Sequence, residues 1–338
     1  MAVDVASHPS TVRRAGGWRP VLPVLAVIVA LGATLRLVDP ARLPWLQNFL
    51  IVAGGLLVEA LPFVLLGALV SAVIEVFVPT TAFERLARLP RPLQLPTAAL
   101  AGFAFPVCEC GSVPVARRLA VKGLAPSAAV TFMLAAPILN PIVIASTVVA
   151  YRGRDIFWTM LLGRVGLGFI VAVAVGWVVG SRSAADLLRP RPDEAPQPLD
   201  LARPESRWTR FFGHLSGDFL FMGKFVVLGA TAAGVMQTFV PQSIIDGVAK
   251  TPVVDLVALM GLAFVLSLCS ESDAFVAASF IQFGASAQLA FLVFGPMVDL
   301  KLGALYMGTY SRGFTRMLVI AVAAITLVGT MWIRVIFG

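Results

Sequence analysis

The segment Phe105–Ser112, FPVCECGS, interrupts otherwise oily sequence and holds two of the chain's three cysteines with a carboxylate between them. A second segment, Leu266–Asp273, LSLCSESD, holds the third. Hydrophobic residues make up 59% of the 338 and charged residues 13%, against about 45–50% and ~25% in soluble domains. These polar breaks therefore sit inside a chain built for a membrane. Several apolar runs exceed the ~20 residues that a helix needs to cross a ~30 Å hydrocarbon layer. The runs are continuous rather than alternating, which selects helices over a barrel. The expected fold is an all-α polytopic membrane protein in the inner (cytoplasmic) membrane, with the lipid bilayer as its principal partner.

Working outward from the first break, the chain divides into four parts. Residues 1–47 are a polar tail and a first transmembrane helix: Arg13, Arg14 and Arg19 precede an apolar run from Val21 to Leu35. Arg36 follows at once and no small-residue cleavage site does, so an extra, uncleaved N-terminal helix is expected rather than a signal peptide. Residues 48–180 are a first membrane repeat. It has a long run Phe49–Val78 with Glu59, Pro62 and Glu75, then a run Thr97–Phe105 too short to span. The cysteine break, Val113–Leu124 with Arg117, Arg118 and Lys122, and helices over Ser127–Tyr151 and Phe157–Gly180 complete it. Residues 181–207 are a polar linker with the composition of a disordered loop.

Residues 208–338 repeat the plan. Gly67, Phe77 and Pro79 recur as Gly229, Phe239 and Pro241 at an offset of 162, and Cys108 recurs as Cys269 at 161. AAPILNP (Ala135–Pro141) recurs as FGPMVDL (Phe294–Leu300) at 159, pairing Asn140 with Asp299. If Thr97–Leu124 crossed the membrane, Arg117, Arg118, Lys122 and the Arg-rich linker would fall outside, against the positive-inside rule. If the segment dips in and returns, all of them fall inside and each half crosses three times. The two homologous halves are then inverted repeats with broken, re-entrant cysteine segments. That arrangement places a binding site at the midplane of many transporters, because irregular backbone at this depth survives only against protein or a water-filled cavity.

Pro106 and Pro114 disfavour a continuous helix and Gly111 relaxes the backbone, so residues 108–110 are expected to be extended. Cys108 and Cys110 then point one way and Glu109 the other. Thiolates select soft acceptors such as Cu(I), Zn(II) or trivalent arsenic-type species. The candidate binding set is Cys108, Glu109, Cys110, Gly111 and Ser112 from the first break, and Cys269, Glu271 and Asp273 from the second. Asn140 and Asp299 join them from the helix interruptions. Cys108, Cys110 and Cys269, with Glu271 as a fourth donor, are the candidate metal ligands. Each has a bland alternative. Buried cysteines are ordinary small hydrophobes, and the polar groups of the breaks can satisfy backbone freed by the prolines. Two facts favour a site: the cysteines occur only in repeat-equivalent breaks, and a carboxylate at membrane depth costs at least ~2.5–3.5 kcal/mol. Glu59, Glu75, Lys224 and Lys301 read as interfacial groups that snorkel. Arg117, Arg118 and Lys122 read as topology anchors, and His8 and His214 as surface residues.

The net charge of +8 does not point to nucleic acid, because the basic residues lie between apolar runs. There is no Walker loop, dinucleotide fingerprint or nucleophile-and-base motif, so neither enzyme nor cofactor is expected. The function read from these residues is a permease for a small solute, favouring a thiol-seeking metalloid or soft metal species, driven by a gradient with protons as a candidate coupling ion. The alternatives are a permease for another solute with structural cysteines and a membrane-embedded thiol oxidoreductase. At FPVCECGSVPVARRL and AAPILNPIV the sequence resembles the bacterial predicted-permease family, the YraQ-like group, which includes trivalent organoarsenical efflux permeases. The resemblance covers residues 49–336. It implies a polytopic inner-membrane permease and, for the arsenical branch, a metalloid held by Cys108, Cys110 and Cys269.

Overall fold

A computed structural model describes residues 44–78, 89–104, 107–189, 206–239 and 254–337. The expected first helix at Val21–Leu35, together with Phe105, Pro106 and most of the linker, lies outside these residues. Residues 49–338 form one compact unit that contains both repeats, and residues 1–48 form another. The first half comprises α1 (Pro44–Phe77), α2 (Arg91–Ala104), α3 (Glu109–Val121), α4 (Pro126–Leu139), α5 (Pro141–Tyr151) and α6 (Phe157–Val179). A short α7 (Ala184–Leu187) leads into α8 (Arg207–Phe239), α9 (Val254–Leu266), α10 (Asp273–Ser279), α11 (Ala285–Phe294), α12 (Leu300–Thr309) and α13 (Arg312–Phe337). Each half thus runs long helix, short helix, break, short helix, interrupted helix, long helix.

Local sequence sets the boundaries. Pro126 and Pro141 open α4 and α5, at positions where the missing N–H costs nothing. Gly123 (φ +98°) and Gly153 (φ +80°) turn the chain after α3 and α5, in a region that favours glycine. Among the described residues, five segments are long and apolar enough to cross a membrane: Pro44–Phe77, Pro126–Tyr151, Phe157–Val179, Arg207–Thr238 and Arg312–Ile336. The chain is a multi-pass membrane protein. In the second half, the segment that corresponds to Pro126–Tyr151 is split into α11 and α12 by residues 295–299. Helix α1 runs through Pro62 for 34 residues, about 51 Å at 1.5 Å per residue, so it tilts or projects beyond the hydrocarbon.

The cysteine segments are hairpins of two short helices. In the first, α2 lies alongside α4. A Cβ built on Gly102 would sit 2.7 Å from Ala136 Cα. Gly176, near the linker end of α6, packs against Leu95 of α2 and against Ser127 and Thr131 of α4. Helix α3 comes back to the same side, where Lys122 Nζ donates to the carbonyls of Ile74, Glu75 and Val78 at 2.8, 2.6 and 3.1 Å. The second hairpin opens toward the other end of α6. Arg334, late in α13, binds Asp255 at the start of α9 and Ser286 at the start of α11, each at 3.1 Å. Arg154, just before α6, donates to the Ala278 carbonyl at the end of α10 at 2.7 Å. Between the hairpins, α4 and α11 are buried from Ser127 to Leu139 and from Ser286 to Phe294.

Three expectations change. First, residues 108–110 are not one extended strip: Cys108 is extended (φ −69°, ψ 174°) but α3 begins at Glu109. The Ser112 amide closes the first turn on the Cys108 carbonyl at 2.9 Å. Second, the start of the 181–207 linker is ordered. Ser183 caps α7, and its hydrogen bonds hold the exposed Asp186 carboxyl below the ordinary carboxylate range. Residues 187–189 then pair with 309–311 through Arg189 N to Thr309 O (3.0 Å) and Ser311 N to Leu187 O (2.8 Å). Third, Arg117 and Arg118 are buried rather than being water-facing anchors, because each satisfies groups that the fold would otherwise leave bare. Arg117 donates to Thr309 O (3.2 Å) and Arg189 O (2.9 Å).

The repeat-matched glycines bring the long helices onto the breaks. A side chain on Gly67 would collide with the Gly111 backbone, and a Cβ on Gly229 would lie 2.6 Å from Lys301 Cα. Overpacking of this kind costs about 1–3 kcal/mol. Gly67→Val and Gly229→Val are expected to lower the thermal midpoint of the detergent-purified protein. Gly54→Val, where a Cβ meets nothing within 4 Å, leaves it unchanged.

Candidate functional site

The two breaks meet, and the contact is made by their carboxylate and hydroxyl. Glu109, in the first turn of α3, accepts from Ser270 Oγ at 2.9 Å and from the Ser270 amide at 3.4 Å through Oε2. Its other oxygen lies 3.7 Å from Lys301 Nζ. Glu109 is therefore the group that joins the halves, not one turned aside. Cys108 and Cys110 fall at the same turn, as the N-cap and the second residue of α3. All three thiols are free and buried. Cys269, across from this pair, has its sulfur 3.8 Å from Lys301 Nζ.

Lys301 was expected to snorkel; it is fully buried in the first turn of α12. Besides Glu109 and Cys269 it approaches Asp299 Oδ2 at 3.9 Å. A buried ammonium is tolerable only where opposite charge and polar contacts replace water, and these three groups supply them. Among the described residues, no three Cys, His, Asp or Glu side chains form a group able to hold a metal ion. The metal ligand set Cys108, Cys110 and Cys269 with Glu271 is thus not preassembled, since Cys269 is turned to the lysine.

The second break carries its own strain and its own clamp. Ser267 has φ +49°, the one non-glycine residue with positive φ among those described, a conformation that persists where surroundings over-determine it. Its hydroxyl accepts from the Leu300 amide at 3.0 Å, and Gln237 Nε2 donates to Leu266 O at 2.9 Å. Arg164 in the middle of α6, which no sequence pattern singled out, reaches this break. It is 1% exposed and donates to Asp273 Oδ2 (2.8 Å), Ser270 O (3.1 Å) and Thr147 Oγ1 (2.9 Å). Glu59, expected at an interface, accepts from Ser272 Oγ at 3.0 Å.

Asn140 and Asp299 do the same work in the two halves. Asn140 Oδ1 accepts from the Ile142 amide (2.9 Å) to cap α5, and Asp299 Oδ1 accepts from the Leu302 amide (2.6 Å) to cap α12. They satisfy amides rather than carbonyls. A carbonyl freed by a proline is served from elsewhere. Pro137 lacks the N–H that would bind Met133 O, and Ser112 Oγ lies 3.0 Å from that oxygen. Ser112 and Gly111 are therefore placed as packing residues of the hairpin, while Cys108, Glu109, Cys110, Cys269, Glu271 and Asp273 cluster at the meeting point. Several buried atoms at the breaks and helix interruptions have no hydrogen-bond partner among the described residues: Glu109 Oε1, Glu271 Oε1, Asp273 Oδ1, Asp299 Oδ2 and Asn140 Nδ2.

On the linker side lies a second network. Arg118 lies 3.4 Å from Asp218 and 3.8 Å from Glu75, and its NH2 donates to His214 Nδ1 at 3.3 Å. Ser71 Oγ donates to Asp218 at 2.7 Å. His214, read as a surface residue, belongs to this network.

A family described as predicted permease matches residues 45–335. The UPF0718 protein YcgR of Bacillus subtilis (strain 168) is 38% identical over 285 residues, covering 83% of this chain and 95% of that protein. A "Putative two-component membrane permease complex subunit" of Streptococcus mutans serotype c (strain ATCC 700610 / UA159) is 32% identical over 253 residues, covering 73% of this chain and 82% of it. No solved structure matches.

Removing one partner of a buried ion pair costs about 3–5 kcal/mol, whereas replacing both with apolar residues is often neutral. Asp273→Asn is expected to destabilise the protein by that order in a detergent unfolding titration. The double variant Arg164→Met, Asp273→Leu recovers most of the loss.

Proposed function

The chain belongs to the predicted-permease family, and from this premise we propose that it carries a thiol-seeking metalloid, or a soft metal species, across the inner membrane by gradient-driven alternating access. As a membrane permease it needs a site reachable in turn from either side. The observation that carries the reading is the meeting of the two breaks: Glu109, between the buried Cys108 and Cys110, bonds Ser270, which lies between Cys269 and Glu271.

The chemistry suits a neutral trivalent centre bearing hydroxyls. Two thiols condense with it as two S–metalloid bonds form and two metalloid–oxygen bonds break; the thiol protons leave with the hydroxides as two waters. Release is the reverse. Before or after condensation, hydroxyls on the centre donate to the carboxylate oxygens that have no other donor.

Two features support reading the halves as inverted repeats. The hairpins open toward opposite ends of α6. Further, Glu109 and Ser270, which the 161-residue offset of Cys108 and Cys269 makes equivalent, bond to each other directly. Equivalent residues touch when a two-fold axis passes between them. Alternating access then consists of loosening the Arg118 network on the linker side while the Arg164–Asp273 clamp holds, and the converse.

Cys108→Ala and Cys110→Ala are each expected to abolish accumulation of a trivalent arsenical by everted membrane vesicles, with membrane insertion unchanged on blots. Full transport by the double alanine variant would sink the thiol site.

A further inference from the structure

We infer that Lys301 is a tethered cation filling a latent metal-ion site, and that it thereby sets the charge class of what reaches the cysteines: neutral electrophiles are admitted and free metal cations are held off. The inference deepens the thiol-site reading by narrowing its permeant to the neutral metalloid, and rests on that reading for the permeant, though not for the behaviour of Lys301 itself.

Three donors from three places converge on Lys301 Nζ: Glu109 Oε1 of α3 at 3.7 Å, Cys269 Sγ of the second break at 3.8 Å, and Asp299 Oδ2 of the α12 cap at 3.9 Å. One thiol and two carboxylates are a donor set that suits Zn²⁺ or Cd²⁺. Among the described residues they do not form a metal-holding group; an ammonium occupies their common centre. Among the described residues the two carboxylate oxygens concerned have no hydrogen-bond donor other than this ion pairing.

The lysine cannot swing away cheaply. It is fully buried, its backbone is pressed against Gly229, and its helix start is fixed by Asp299 on the Leu302 amide and by Ser267 on the Leu300 amide. A divalent ion entering this centre meets a fixed like charge within about 4 Å in a poorly screened interior. A neutral hydroxylated species meets no such barrier. Lys301 has no counterpart in the first half: the 159-residue offset places Ile142 at its equivalent, just as uncharged Asn140 stands opposite Asp299. The charged cap and the lysine occur together, in one half only.

The test uses the full chain with Cys108→Ser and Cys110→Ser, which leaves Cys269 as the single thiol of three. Cd²⁺ is titrated and the ultraviolet thiolate-to-cadmium charge-transfer absorption is read. With Lys301, or with Lys301→Arg, no absorption is expected in the range where Lys301→Ala and Lys301→Gln respond, the apparent affinity differing by at least ~100-fold. The melting temperature of the alanine and glutamine variants is expected to rise with Cd²⁺, because a ligand that binds only the folded state stabilises it. Equal Cd²⁺ response with and without the lysine overturns the inference, as does absence of response in every variant. Failure of both neutral variants to fold even with Cd²⁺ present also counts against it, since a latent site that accepts the ion is stabilised by it. The thiol reading fails separately: phenylarsine oxide then leaves Cys108 and Cys110 of the otherwise unaltered protein open to alkylation.

Discussion

In hydrocarbon there is no water to take up a backbone amide or carbonyl that a helix leaves free, and each one left bare costs several kcal/mol. Among its described residues this membrane protein breaks its helices at the cysteine segments and at Asn140 and Asp299. Much of its polar inventory is spent on those breaks. Asn140 and Asp299 take amides, Ser267 takes the Leu300 amide, and Gln237 donates to Leu266 O. Arg164 and Ser112 serve the Ser270 and Met133 carbonyls. The basic residues Lys122, Arg154 and Arg117 serve carbonyls at helix ends, where they also meet the favourable end of the helix dipole.

The same constraint explains why the site is crowded with charge. A broken backbone has to be held by groups that reach it, and long charged side chains reach furthest. Once Arg164 is buried to hold Ser270, a counter-charge is needed, and Asp273 supplies it at 2.8 Å. Lys301 and its carboxylates form a second closed group on the other face of the same break. What is left over after these pairings is acceptor-rich: carboxylate oxygens without donors beside a pair of thiols. The site therefore has spare capacity for a hydrogen-bond donor and an electrophile, while its positive charge is already committed.

Much of this was legible in the sequence because the repeat is written in residues that only the backbone needs. Gly67 and Gly229, and Pro137 and Pro296, keep near-constant spacing since helix contact and helix interruption fix them. The cysteines and carboxylates of the breaks stood out against apolar flanks for the same reason. Arg164 did not. It lies alone in a 23-residue apolar helix with no polar neighbour at helical spacing, and its partner Asp273 is 109 residues away. Lys301, Arg117 and Arg118 were visible but assigned to the wrong environment. Statistics for basic residues favour interfaces, and only tertiary contact shows that carbonyls and carboxylates await them inside. The extended reading of residues 108–110 gave too much weight to Pro114, which lies beyond the first turn and does not prevent the helix from starting at Glu109.

An internal two-fold relation would make the two halves equal in backbone and leave function to where they differ. Glu109 is opposite Ser270, Cys110 opposite Glu271, Asn140 opposite Asp299, and Ile142 opposite Lys301, by the offsets of 161 and 159. The thiol pair belongs to one half; the lysine and most of the carboxylates belong to the other. A permeant bound to the thiols is then held by one hairpin and hydrogen-bonded by its counterpart, so that separating the hairpins acts on both sets of contacts at once. Exchange of the halves does not restore the same site, because Glu109 bonds Ser270 and Lys301 whereas Ser270 has no lysine of its own. If the halves exchanged roles about such an axis, facing one side of the membrane and facing the other would be states of unequal energy even when empty, and the side chains at the axis, rather than the shared helical frame, would set the difference.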